Sequence, residues 1–424
     1  MAILIKNGRV IDPANKIDAI LDILVKNSKI TRVAKDIDAG GCQVINASGK
    51  VVMPGIVDMH VHLREPGRED KETVASGTRA ALKGGVTSVL AMPNTQPAID
   101  CPENVSLLKG IIKKTAQANV LIAAAITKER LGRELSDIAA LKKEGVVALT
   151  DDGCSVDSPA ILLQAFKQAR KNRLLIICHC EDKSLSAGGV VNRGIISTVM
   201  GLKGISRESE YKRVARDIEL ASKARAAMHI AHVSCRESVA MIAQAKKNNI
   251  PVTAETAPHY FSLSEAEVHG YHTNMKINPP LRAQDDIQAI KRGLQDGTID
   301  AIASDHAPHT ENEKYIEFEH AAFGTTGLET ELAVSISELI KTKILNWPAL
   351  VSKLSTNPAK ILGIDKGVIS AGKCADIIVV DPDAEWTVRG EEFISLSSNS
   401  AFLGRKLYGA VEYTICAGEI AYRQ

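Results

Sequence analysis

Aromatic residues are scarce: 2 Trp, 7 Tyr and 6 Phe make 4% of the 424 residues. So few π-faces argue against a base-stacking platform for single-stranded nucleic acid. Neither sign of charge is in excess. With 52 Lys+Arg against 50 Asp+Glu, the net charge of +2 leaves no broad field to draw in nucleic acid or an anionic membrane. No apolar run approaches the ~20 residues of a bilayer span. At the N-terminus only Ala2 to Ile5 are apolar before Lys6, short of the ~7–15 residues of a secretory signal. The 8 cysteines form no CxxC pair. A chain of this length buries an ample core without covalent staples, so the thiols read as reduced and intracellular. No Gly-rich phosphate turn (GxGxxG or GxxxxGK[ST]) follows an apolar run. Internal repeats and low-complexity tracts are also missing. The expectation is a soluble, cytoplasmic protein that binds neither nucleic acid nor membrane.

What is present divides the chain in two. Both ends read as β structure. Residues 3–6 and 9–11 flank Asn7-Gly8, a pair that accepts the positive φ of a tight hairpin. A second hairpin is expected from 23–25 and 30–33 around Lys26 to Lys29. Near the other end, 376–380 is a β-branched run stopped by Asp381-Pro382, and 411–415 and 419–422 flank Ala417-Gly418. Residues 1–52 plus 365–424 are therefore expected to form one small β domain. Between them, residues 53–364 alternate short apolar runs with helical patterns, the signature of βα units. Eight strands are expected, at 56–60, 86–92, 120–125, 146–150, 174–179, 229–233, 251–255 and 301–305. Helices are expected at 71–83, 102–117, 159–171, 209–224, 237–247 and 283–295. Eight such units favour an α/β fold of the closed (β/α)8 barrel type over a doubly wound sheet.

Polar residues recur where these apolar runs end. His60 and His62 share a strand face and project together. Asp152 follows the fourth run, His179 the fifth, His232 the sixth and Asp305 the eighth. In a closed barrel these ends converge on one mouth. Imidazole and carboxylate suit Zn²⁺. Six ligands, with one carboxylate shared, fit two metals bridged by hydroxide, which would supply a nucleophile at neutral pH.

The motif series HVHLREPGRED (60–70), AMPNTQPAID (91–100), TDDG (150–153), CHCED (178–182), IAHVS (230–234), INPPLR (277–282), SDHAPH (304–309) and FGTTGLET (323–330) resembles the type I bacterial dihydroorotases of the cyclic amidohydrolase superfamily. The resemblance spans nearly the whole chain. It implies a zinc-dependent enzyme with two metals per subunit and a small-molecule substrate, interconverting N-carbamoyl-L-aspartate and L-dihydroorotate in pyrimidine biosynthesis. It implies His60 and His62 as ligands of the first metal, Asp152 as the bridge, and His179 and His232 as ligands of the second. Asp305 would ligate the first metal and shuttle the proton. Arg64, Asn94 and His309, beside His62, would hold the substrate carboxylate, with Asn278 and the Phe323-Gly324 backbone on the ring. A homodimer and an association with aspartate carbamoyltransferase are both compatible with it.

Elementary chemistry supports these roles. A planar guanidinium grips a carboxylate bidentately, and an amide offers the donor and acceptor that a cyclic ureide requires. Other polar residues invite plainer readings. Asp151, Cys178 and Cys180 face the helices by alternation, and His229 lies off its strand face. His306 is expected to hydrogen-bond behind a ligand, and Glu255 to His259 end the seventh run without a ligand role. Glu311 to Lys314 read as a solvated loop that could serve as a mobile cover. The loop at 188–194 lies near the mouth. Ala322 stands where the family commonly has Pro. Dihydropyrimidinases, hydantoinases and allantoinases typically bridge their metals with a carbamylated lysine, and here 150–152 offers Thr-Asp-Asp. A non-catalytic subunit would tend to have lost ligands, and all six are present.

Overall fold

The computed structural model describes residues 2–424. All eight expected strands form: Ile56–Val61, Val86–Ala91, Asn119–Ala124, Ala148–Leu149, Leu175–Cys178, Met228–Ile230, Val252–Thr256 and Ala301–Ile302. Each pairs in parallel with its neighbour in sequence. A parallel bridge between Val61 and His306, where the His62 N–H donates to the His306 carbonyl at 2.9 Å, joins the first strand to the chain beyond the last. The α/β barrel is thereby closed. Strands buried on both faces explain the unbroken apolar runs.

The six expected helices lie between these strands, within one to three residues of their expected ends. Pro159–Asn172 shows why they form. Ser158 caps it by accepting from the Ile161 N–H, Pro159 opens it, and Arg173 ends it in a left-handed conformation. Leu162, Ala165, Phe166 and Ala169 make its buried stripe. Short helical segments between Glu331 and Leu362 were not foreseen.

Alternation along the strands sorts side chains into two layers. Ala148, Ile177, Ala231, Ala301 and Ala303 are buried together, whereas Leu149, Ile176, Cys178, Ile230 and Ile302 pack into the larger core that includes the helices. Counting in twos from the first set leads to Asp152, His179 and Asp305. Small residues thus occupy the layer below the polar strand ends.

The two termini share one sheet in the order Glu419–Arg423, Lys406–Cys416, Ile377–Thr387, Val51–Pro54, Ile3–Asp12, Ile17–Lys26 and Lys29–Ala34, with Gln43–Asn46 also on Ile3–Asp12. The hairpins at Asn27-Ser28 and Ala417-Gly418 are as expected, with positive φ at each of the four residues. Asn7-Gly8 is different. It is no turn but a bulge inside the single strand Ile3–Asp12, with Asn7 at φ 61° and its N–H donating to Asp22 Oδ1 at 2.9 Å. Positive φ serves a bulge as well as a turn, and the sequence pattern does not separate them. Asp381-Pro382 likewise fails to stop its strand, which runs on to Thr387 through an irregularity after Asp381. Proline is tolerated at such a bulge.

At the bulge Ile3–Asp12 passes close to its neighbour Val51–Pro54. A Cβ on Gly8 would meet Val52 Cγ2 at 2.4 Å. Gly8→Val should therefore destabilise the protein by about 1–3 kcal/mol through overpacking. An unchanged thermal midpoint in calorimetry would contradict this packing.

Candidate active site

The six candidate ligands meet at the barrel mouth, all of them buried. Asp152 is central. Its Oδ1 lies 3.2 Å from His60 Nε2 and 3.8 Å from both His179 Nδ1 and His232 Nε2, and its Oδ2 lies 3.5 Å from His62 Nε2. Asp305 Oδ1 is 3.6 Å from His60 Nε2 and 3.5 Å from His62 Nε2. His179 Nδ1 and His232 Nε2 are 2.8 Å apart. Two triads, His60–Asp152–His232 and His60–His62–Asp305, keep their donor atoms within 4.8 Å of one another and could hold a metal. His60 belongs to both, which differs from its expected place at one metal alone.

The residues fit zinc. Donor atoms about 2.0–2.1 Å from a tetrahedral zinc lie roughly 3.3 Å from each other. The carboxylate–imidazole separations of 3.2–3.8 Å are of that size. His60 Nε2 is buried with no hydrogen-bond partner among the described residues. A buried polar atom left in that condition is costly unless something else engages it.

Local backbone conformation helps to aim the groups. His232, Asp305 and Arg64 have φ of 36°, 49° and 60°. Residues other than glycine seldom adopt such values, and they cluster at functional sites. His232 follows the inward-facing Ala231, so an extended backbone would turn it outward. The left-handed conformation brings it in.

Burial works against ionisation throughout, and charge pairing decides the outcome. Burial would raise the Asp152 and Asp305 carboxylates, but His60 beside each holds both below the ordinary range. Burial would lower His60, yet Asp152 and Asp305 raise it well above the ordinary imidazole value. Burial, reinforced by Arg64, lowers His62.

Three imidazoles are anchored through the nitrogen that faces away from the cluster. His60 Nδ1 lies 3.0 Å from Glu255 Oε1, His62 Nδ1 lies 2.9 Å from Asn94 Oδ1, and His179 Nε2 lies 3.3 Å from Glu181 Oε2. Each acceptor takes the N–H on that side, which leaves the other nitrogen facing Asp152 and able to ligate when the ring is neutral. Glu255 also lies 3.3 Å from His229 Nε2, and His229 Nδ1 is 2.8 Å from Thr253 Oγ1. Glu255 was read without a ligand role and instead supports a ligand. Its signal was a carboxylate at the end of a strand that supplies no ligand of its own.

Arg64 is part-buried. Burial pushes its guanidinium down to about 10, against the pull of Asp152 and Asp305. Its Nε donates to the Pro308 carbonyl at 3.2 Å, and Nη2 lies 3.3 Å from His309 Nε2. Burial, with Arg64 and Lys71 nearby, pushes His309 down to about 3, so its ring is neutral. His309 Nε2 faces the Phe323 carbonyl at 2.8 Å, and the Gly324 N–H donates to the Lys276 carbonyl at 2.9 Å. Both backbone groups expected on a substrate ring thus have protein partners here. Asn278 Nδ2 donates to Glu181 Oε2 at 3.2 Å.

The segment read as a solvated loop is instead a clamped turn of helix, Glu311–Lys314. Glu313 pairs with Lys71 and Arg68, each at 2.8 Å. Lys314 is buried and donates to the carbonyls of Thr273 and Ala322 at 2.9 and 2.8 Å. These partners come from distant segments, so local composition concealed them. Asp151 is structural as expected, accepting from the Thr127 N–H at 3.0 Å, and Cys180 faces Asp217 on a helix at 3.6 Å. His306 Nε2 lies 3.2 Å from Glu72 Oε2.

A family model described as Dihydro-orotase-like matches residues 49–238. A dihydroorotase of Elusimicrobium minutum is 51% identical over 420 residues, covering 99% of this chain and 97% of that one. The chain belongs to the dihydroorotase family. A dihydroorotase of Geobacter metallireducens is 47% identical, with 100% of both chains covered. Two solved structures share the fold. A D-hydantoinase superposes with a TM-score of 0.89 at 24% identity, covering 100% of this chain and 95% of that one. An L-hydantoinase (dihydropyrimidinase) from Arthrobacter aurescens has the same score and identity, over 99% and 95%. Like the other dihydroorotases, the chain is a cyclic amide hydrolase.

If Glu255 sets the orientation of His60, Glu255→Gln should lower zinc affinity by about 10–100-fold. Competition against a chromogenic chelator reads this directly. Wild-type affinity in the variant would remove Glu255 from that role.

Proposed function

We propose that the chain carries out the reversible cyclisation of N-carbamoyl-L-aspartate to L-dihydroorotate with loss of water, a step of pyrimidine (UMP) biosynthesis. The observation that carries this reading is the part-buried Arg64 guanidinium, close enough to Asp152 and Asp305 to feel their charge, in a chain 51% identical to a dihydroorotase. A fixed cation at the mouth suits a substrate with a permanent carboxylate. A plain hydantoin lacks that charge.

His60, His62, Asp152, His179, His232 and Asp305 would hold two zinc ions. When bound, these supply Lewis acidity and lower the pKa of water. Arg64 grips the substrate carboxylate with its two terminal nitrogens, since only its Nε is committed to a protein carbonyl. Asn94 has given its Oδ1 to His62, so its Nδ2 donors remain for that carboxylate. His309 borders the same group, and Asn278, Phe323 and Gly324 border the ring. In ring opening Asp305, ionised at neutral pH, takes a proton from the attacking water and delivers it to the departing amide nitrogen. Cyclisation reverses these transfers.

The proposed organisation is a small domain of residues 1–52 plus 365–424 on a catalytic barrel of residues 53–364. No helix is long and apolar enough among the described residues to cross a membrane. The reading places the enzyme in the cytoplasm, as a homodimer that can associate with aspartate carbamoyltransferase. Light scattering of the chain alone and mixed with that transferase tests both associations.

The first test is turnover of carbamoyl aspartate by the zinc-loaded protein, lost on chelation and restored by zinc. Asp305→Asn should keep the fold and lower kcat by about 10²–10⁴-fold, because an amide cannot carry the proton. Near-normal turnover in that variant would exclude the shuttle. Arg64→Ala should raise KM by about 10–100-fold, the worth of a charge-assisted pair, with zinc content unchanged. Loss of zinc in Arg64→Ala would place Arg64 among the groups that support the ligands.

A further inference from the structure

Glu181 follows the fifth barrel strand, two residues beyond His179, and its side chain is largely covered. One of its oxygens, Oε2, lies 3.3 Å from His179 Nε2 and also accepts from Asn278 Nδ2 at 3.2 Å. Those two partners lie 99 positions apart in the chain, on opposite sides of the reaction scheme: one faces Asp152, the other belongs to the edge assigned to the substrate ring. The main chain that carries it is itself held in place. The Glu181 N–H donates to Ser155 Oγ at 3.1 Å, and Ser155 Oγ donates to the His179 carbonyl at 2.6 Å.

An ionised carboxylate only accepts hydrogen bonds. That removes two ambiguities at once. Nε2 of His179 is turned to Glu181, so Nδ1 is the nitrogen left to face Asp152 and His232. Asn278 must turn its NH₂ to Glu181, so its Oδ1 is the end left over. No described residue donates to that oxygen.

We propose that Glu181 is a positioning residue that couples ligand geometry to substrate choice, fixing Nδ1 of His179 toward the metal side and Oδ1 of Asn278 toward the ring. The proposal rests on the dihydroorotase reading for which group Asn278 meets. It adds a sign to that contact: at Asn278 the substrate must offer an N–H donor, not a carbonyl. Asn94 is turned the opposite way, with Oδ1 engaged and Nδ2 free. The two amides therefore present a donor on the carboxylate side and an acceptor on the ring side, which matches an acidic ureide end for end.

The test uses the full-length zinc enzyme and three measurements. Wild-type turnover of dihydroorotate comes first and judges the underlying reading alone. Dihydroorotate analogues methylated on either ring nitrogen come second. Wild type should reject one of them by at least about 100-fold in kcat/KM, because the Asn278 Oδ1 acceptor is left unpaired once the substrate covers it. Glu181→Ala, which frees the Asn278 amide to rotate, should cut that discrimination at least tenfold, chiefly through KM. Zinc affinity, read by chelator competition without turnover, comes third and should fall about 10–100-fold in Glu181→Ala. Glu181→Gln, which keeps a carbonyl acceptor, should recover part of both losses. If the wild type turns over dihydroorotate but Glu181→Ala keeps full discrimination and full zinc affinity, the proposal is wrong and the dihydroorotase reading survives. Loss of zinc affinity with discrimination intact would also overturn the coupling.

Discussion

The site depends on one desolvated anion, Asp152, placed among four imidazoles. A buried carboxylate without compensation is among the most expensive things a fold can contain. Here the compensation comes from three segments separated by tens of residues, and the closed ring of strands brings them within 4 Å. Closure is therefore a condition of the chemistry. The contacts that complete the ring, between Val61 and His306 and between His62 and His306, lie beside two of the ligands themselves.

A second layer of acceptors decides what the first can do. Glu255, Asn94 and Glu181 each take the outward side of an imidazole. The nitrogens that remain then point inward. The same layer reaches the substrate side through Asn94 and Asn278, so ligand orientation and substrate orientation share hydrogen-bond partners. The pattern also explains why an Asn can stand beside a ligand and face a substrate: its two ends do different work.

The outer clamp has its own logic. Lys314 and Lys276 are buried amines surrounded by carbonyls, and burial pushes them down to about 7 and about 8. Lys276 donates to the Phe318 and Glu319 carbonyls, and Lys314 to those of Thr273 and Ala322. Together they tie the segment after the eighth strand to the loop that carries Asn278. What looked like an acidic, solvated stretch is a stapled edge of the site, because hydrogen bonds to distant carbonyls leave no trace in local composition.

Much of this was legible in the residues alone. Runs such as 120–125 and 174–178 are apolar on both faces, which announces a covered parallel strand, and the spacing of Leu162, Ala165, Phe166 and Ala169 announces a helix stripe. The ligand residues were legible because each stands where an apolar strand ends. Other features were beyond local reading. Asn7-Gly8 specifies positive φ but not whether the chain turns or bulges, since that depends on Ile17–Lys26 pairing with both halves. His232 sits out of register with Ala231, and only the folded backbone shows how it turns inward. Residue identity and period settle which side chains are available and which face they share. Which partner each nitrogen meets, which end of each amide is spent and which loop is clamped are long-range contacts, and those exist only once the ring has closed.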